Sequence, residues 1–147
     1  MNWRNRKIET RRMRVGDVLP NPRNPKIHPD EQLDPLRGLL ETVGQLDDLK
    51  AYYSKRAKGK LVFFDGHGRQ ALDPDAEWDV DIYDLTDEEA DLALVTFDPI
   101  ARQAQTNQAL LSNLLEGIEQ SQIIEDPDLT QWLDGLPALI EAQEIGR

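Results

Sequence analysis

Four apolar residues in a row, Leu61, Val62, Phe63 and Phe64, end abruptly at Asp65-Gly66-His67-Gly68-Arg69, and this junction constrains the chain more than any other stretch. The apolar run has the make-up of a strand buried on both faces, and the glycines stop it. Glycine takes positive φ and lets a ligand come close, so Gly66 and Gly68 can turn amide N–H groups toward an anion that Arg69 clamps with its fork of donors. Phosphate is the natural anion. The competing account is a plain glycine turn between two strands, with His67 and Arg69 simply solvated.

The chain of 147 residues is 39% hydrophobic, enough for one domain with a small appendage. No stretch approaches the 18 or more apolar residues of a membrane span, and the basic N-terminus is not followed by the apolar core of a signal peptide, so the expected compartment is the cytoplasm. With no cysteine, disulfides, thiolate metal sites and a cysteine nucleophile are all excluded. The net charge of −11 divides into +6 over residues 1–72 and −17 over residues 73–147. Such a split suggests one part built for a polyanion and another that repels it.

Residues 1–14 carry Arg4, Arg6, Lys7, Arg11, Arg12 and Arg14 around Trp3, Ile8 and Met13, which reads as a basic arm leading into a first strand near residues 9–15. Arg4, Arg6, Lys7, Arg11 and Arg12 are the candidates for DNA contact, against a bland solvated arm. Pro20, Pro22 and Pro25 exclude a helix and force an extended loop that displays Arg23 and Lys26. Leu33, Leu36, Leu40 and Val43 predict a helix over residues 29–43, with Gly44 just past its end. Residues 49–54 and 60–64 read as a hairpin with a basic tip, and residues 77–82 alternate as a half-buried strand whose acidic face meets water. Thr86-Asp87-Glu88-Glu89 is a capping box that opens a helix, with a break expected at Asp98-Pro99. A longer helix follows from Thr106, striped by Leu110, Leu111, Leu114, Leu115 and Ile118. The acidic tail opens with Asp126-Pro127 and reads as two short helical pieces that either pack back or present Trp132, Leu133 and Leu136 to a protein partner.

In this order the pieces resemble the ParB N-terminal, or ParB/sulfiredoxin-like, domain over residues 15–102. The resemblance rests on Asn21-Pro22-Arg23-Asn24-Pro25-Lys26, the helix ending at Gly44, the strand into Asp65-Gly66-His67-Gly68-Arg69, and Asp84-Leu85-Thr86-Asp87-Glu88-Glu89-Ala90 before a helix. His28-Pro29-Asp30-Glu31 and Phe97-Asp98-Pro99-Ile100-Ala101 are similar to small ParB-like proteins that accompany phages and DNA-modification genes. The resemblance implies an α+β fold: a small mixed sheet of about four to five strands with flanking helices. It divides the chain into a basic arm (1–14), the ParB-like domain (15–105) and an acidic helical extension (106–147).

The resemblance further implies a nucleoside triphosphate, ATP or CTP, bound with magnesium at the Gly66–Arg69 turn. Gly66, His67, Gly68 and Arg69 would touch phosphate, and Arg23 and Lys26 would approach it. Asp65 would hold the metal or orient a hydroxyl, or else bond its own backbone in the turn. Asp98 stands where a second metal-holding group is expected. His67 would contact phosphate or move a proton there, against an exposed loop histidine. Departures limit what carries over. DNA-partitioning ParB proteins have a glycine-acid-arginine-arginine box, and here His67 and Gly68 replace the acid and the first arginine. Asp98-Pro99-Ile100-Ala101-Arg102 lacks the asparagine of their second motif. Without cysteine, sulfinic-acid reduction is excluded.

Three functions compete at this point. One is a nucleotide-binding accessory factor in DNA partition, modification or mobile-element biology, with or without weak nucleotidase activity. Another is phosphoryl transfer from ATP to a small hydroxyl substrate, assisted by Asp65 and Glu31. The third is a nucleotide-free module that uses the basic arm for DNA and the acidic tail for a protein. No cluster of acids and histidines has the spacing of a two-metal nuclease, and no helix-turn-helix fits after residue 105.

Overall fold

Four strands, β1 (Lys7–Arg14), β2 (Leu49–Ser54), β3 (Lys60–Asp65) and β4 (Glu77–Tyr83), form one mixed sheet in the order β1-β4-β2-β3. β1 and β4 run antiparallel, β4 and β2 parallel, and β2 and β3 form the expected hairpin. A 3-10 turn (Val15–Asp17) follows β1, and five helices complete the chain: α1 (Asp30–Val43), α2 (His67–Leu72), α3 (Asp87–Arg102), α4 (Gln108–Ser121) and α5 (Pro127–Ile145). This computed structural model describes residues 1–23, 30–102 and 104–146, and of residues 30–32 and 98–102 it describes the backbone alone. Two compact units emerge: Met1–His28 with Gln45–Asp98, and Pro29–Gly44 with Pro99–Arg147. No described helix is long and apolar enough to cross a membrane.

The first unit is built on the sheet. Tyr52, Val62, Phe64, Ala90 and Leu94 form a buried cluster in which Phe64 meets Tyr52 and Tyr83 edge-on at 6.2 and 5.5 Å. Each large side chain removed from water in this way contributes about 1.5–3 kcal/mol. β4 follows the period-two expectation, with Trp78, Val80 and Ile82 buried, but its acidic face does not all meet water: Asp81 is buried as well. The hydroxyl of Thr10 donates to Asp81 at 2.6 Å, which satisfies one of its oxygens inside the sheet.

The capping box forms as the sequence requires, Thr86 N–H donating to Glu89 and Glu89 N–H to the Thr86 hydroxyl at 3.0 and 3.1 Å. Asp87 does more than cap. It is buried and accepts from the Tyr52 hydroxyl at 2.8 Å, the Ser54 hydroxyl and the Arg56 N–H at 3.2 Å, so it pins the hairpin tip to α3. Burial alone pushes the Asp87 carboxyl up, but these three donors and the Arg56 charge together hold it below the usual aspartate range.

The residues before the proline loop close the other edge of the sheet. Leu19 N–H donates to the Leu61 carbonyl and Phe63 N–H to the Leu19 carbonyl, both at 3.0 Å, so Leu19 lies parallel on the outer edge of β3. That pairing carries Asn21 to the C-terminal end of β3.

The second unit is helical. Asp126 caps α5 through the Asp128 N–H at 3.0 Å, and Leu129 is buried. α1 and α5 approach each other at Gly38, where a Cβ would lie 2.4 Å from an Asp126 oxygen and 2.7 Å from Leu129 Cβ. α5 is one helix through Pro137 where two pieces were expected, and α3 continues past Pro99 to Arg102 where a break was expected. In both places proline removes a single backbone donor while the remaining ladder holds.

Candidate functional site

β3 delivers Asp65 to the junction, and Gly66 then takes φ +116° and ψ 7° as the residue before α2. The glycine segment is therefore not a turn between two strands: it opens a short helix, with Gly68 in the first turn. Gly66 itself is where close approach matters, because a Cβ there would lie 3.0 Å from Leu49 Cβ.

Two segments far apart in sequence are stitched together around this helix. The backbone N–H of Asn21 donates to His67 Nε2 at 3.0 Å, and the Gln70 amide donates to the carbonyls of Val15 and Val18 at 2.9 and 2.7 Å. As an acceptor, Nε2 carries no proton, and His67 also meets Phe63 edge-on at 6.0 Å. His67 thus positions the proline loop. Asn21 is buried; its Oδ1 accepts from Arg23 N–H at 3.0 Å in a tight local turn, and among the described residues its buried Nδ2 has no hydrogen-bond partner.

Arg69 is held low against the sheet, with 16% of its side chain exposed. Its guanidinium lies 5.8 Å above the Trp78 ring and 3.6 Å from both Asp47 and Asp65, while Asp65 is also 3.8 Å from Lys50. Among the described residues the Arg69 fork makes no direct hydrogen bond, only these looser charge contacts. Asp65 stands between two cations. Trp78, Asp47, Lys50 and Gln70 are not singled out by the sequence; the pairing of β2 with β3 and β4 and the docking of α2 on the segment after β1 bring them here.

Arg23 turns elsewhere, 3.7 Å from Asp91 on α3, a carboxylate that Arg56 already grips at 2.6 and 3.1 Å. Lys26 lies outside the described residues, as do the side chains of Glu31 and Asp98. The expected DNA contacts sit on or beside β1. Arg4 is exposed; Arg6 grips Glu89 at 2.8 Å, Arg11 pairs with Glu9, and Arg12 reaches Gln45 at 3.0 Å and Asp79 at 3.5 Å. The Arg6 bond, with the Thr86 N–H, holds the Glu89 carboxyl down at about 2.

These features can be set against known proteins. No protein-family model and no curated protein matches the sequence. Among solved structures, the chain is similar to the C-terminally truncated chromosome-partitioning protein ParB from Caulobacter crescentus complexed with CTP-gamma-S, at a TM-score of 0.58 and 16% identity. The match covers 93% of this chain and 87% of that one. The fold is ParB-like. A ParB-like sheet with flanking helices and a C-terminal helix is what the sequence resemblance implied, with four strands at the lower end of the expected number.

The residues at the β3–α2 junction suit a phosphate chain. Among the described residues a buried amide donor has no acceptor, and a guanidinium fork makes only loose charge contacts with Asp47 and Asp65 and no direct hydrogen bond, so both can take a phosphate oxygen. A divalent metal is served less well. No three His, Asp or Glu side chains gather among the described residues, and Asp65 is already faced by Lys50 and Arg69.

Proposed function

We propose that this chain is a ParB-like nucleotide-binding module that takes the triphosphate of CTP or ATP at the β3–α2 junction. The observation that carries the proposal is the buried Nδ2 of Asn21, which finds no acceptor among the described residues while the Asn21 N–H is anchored on His67 at the start of α2. Arg69 supplies the charged fork, Gly66 lets the strand-to-helix junction pack against Leu49, and Asp65 with Lys50 and Trp78 fixes where the fork stands. The similar Caulobacter protein, complexed with a CTP analogue, favours CTP as the first nucleotide to test.

The wider role we assign is that of an accessory factor in DNA partition, modification or mobile-element biology. Arg4, Lys7, Arg11 and Arg12 are the DNA-facing candidates, whereas Arg6 serves Glu89. The acidic second unit faces a protein partner rather than DNA, since residues 104–146 contain no lysine or arginine. Hydrolysis or phosphoryl transfer would use Asp65 and require magnesium brought with the nucleotide.

The test is calorimetric titration of the purified protein with CTP, ATP and GTP plus magnesium, beside an Arg69→Ala variant whose folding is checked by circular dichroism. Binding to the wild type that drops at least tenfold in the variant supports the site. A folded wild type that binds none of the three overturns it.

A further inference from the structure

Among the described residues, one buried side-chain polar atom has no hydrogen-bond partner, and it lies at this junction. Asn21 is 7% exposed, and its Nδ2 finds no acceptor among the described residues. Its orientation is fixed from two sides. The Arg23 N–H requires an acceptor at the Oδ1 position, so the carboxamide is not free to exchange its oxygen and nitrogen, and the Asn21 N–H is anchored on His67 Nε2. Water does not reach the Nδ2 freely, and a buried donor left unpaired is unfavourable enough that native structures rarely keep one without a use. A turn that required only the Oδ1 acceptor would be served by aspartate equally well. What asparagine adds over aspartate is the donor.

We propose that Asn21 Nδ2 is a phosphate-reading donor: it hydrogen-bonds a non-bridging oxygen of the bound nucleotide's phosphate chain. The assignment rests on the nucleotide reading above and sharpens it by adding a neutral donor to the charged fork of Arg69. Phosphate rather than base is chosen because Asn21 is tied to His67, the first residue of α2, immediately after Gly66 and two residues before Arg69. A neutral amide there lets the site distinguish an oxyanion by direction without adding another positive charge beside Arg69.

The isosteric change Asn21→Asp keeps the acceptor for Arg23 N–H and replaces the donor with a second carboxylate oxygen. Calorimetry at pH 7.5 with CTP, ATP and inorganic triphosphate is the measurement, on wild type, Asn21→Asp and Arg69→Ala. The expected result is a loss of tenfold or more in Asn21→Asp, by a similar factor for all three ligands. Should Asn21→Asp bind like wild type while Arg69→Ala does not, the donor role is wrong and the nucleotide site survives. A loss confined to CTP and ATP, with inorganic triphosphate unaffected, places Asn21 on the base or ribose and overturns the phosphate assignment. Absence of binding by wild type removes both. If Asn21→Asp fails to fold, nitrogen-15 NMR of the wild type decides: the Asn21 side-chain NH2 pair shifts on adding inorganic triphosphate, and an unmoved pair at saturation refutes the proposal.

Discussion

Replacing Gly66 with alanine tests how tightly the junction is built. Gly66 and Gly59 both hold positive φ, at +116° and +79°, but they differ in their surroundings. A Cβ at Gly59 meets nothing within 4 Å, so Gly59→Ala carries only the left-handed backbone penalty of about 1–2 kcal/mol. At Gly66 the same Cβ lies 3.0 Å from Leu49 Cβ and 3.1 and 3.2 Å from its two methyls, in a side chain that is fully buried. Overpacking of that kind adds about 1–3 kcal/mol, giving a total of roughly 2–5 kcal/mol for Gly66→Ala. For a chain of this length the two variants should melt roughly 3–10 °C apart in thermal circular dichroism. A double-mutant cycle refines the cause: in a Leu49→Ala background, which removes the two methyls, Gly66→Ala should be less damaging. Equal melting temperatures for the Gly66 and Gly59 variants would refute the packing argument, because both share the backbone penalty.

Asp87→Ala strips the acceptor from Tyr52, Ser54 and the Arg56 N–H at once and should lower stability by about 3–5 kcal/mol in urea unfolding; a loss under about 1 kcal/mol would show that the network is replaceable by water. Glu89 gives a pH signature. Its folded value of about 2 lies below the ordinary 4.5, so its contribution is fully present above about pH 4.5 and is lost as the pH falls from there toward 2. Glu89→Gln should therefore flatten the acid limb of the stability curve between those values, and an acid limb identical to wild type would count against the Arg6 pairing.

Much of the sheet was legible because its signals are local. The hairpin announces itself by an apolar strand on each side of a basic tip, β4 by strict alternation, and the start of α3 by the Thr86 and Glu89 pair that indeed cap it. α2 was hidden because two glycines in four residues oppose a helix, and only the hydrogen bonds of Gln70 and His67 to the preceding loop stabilise six residues in that form. The arm was misleading for another reason. Strand β1 begins at Lys7 rather than near residue 9, and its charged residues find carboxylates on α3 and β4 that no local pattern announces. Of the residues the proposed site uses, Asp65, Gly66 and Arg69 stand out in the sequence, whereas Asn21 is visible there only as one residue of a proline-rich segment. An asparagine before a proline is a known turn former, but its orphan donor exists only because the loop is folded against α2.

The two margins of the sheet have unequal fates. Leu19 occupies the outside of β3, so among the described residues the eight-residue β1 is the margin left for another strand to join. An open margin of that length invites polymerisation through backbone pairing. Here it carries Lys7, Glu9, Arg11, Arg12 and Arg14 on an exposed strand, and charged side chains along an open edge disfavour such pairing. The charges of the N-terminal segment thus have a use at the sheet margin that is separate from any contact with a nucleic acid.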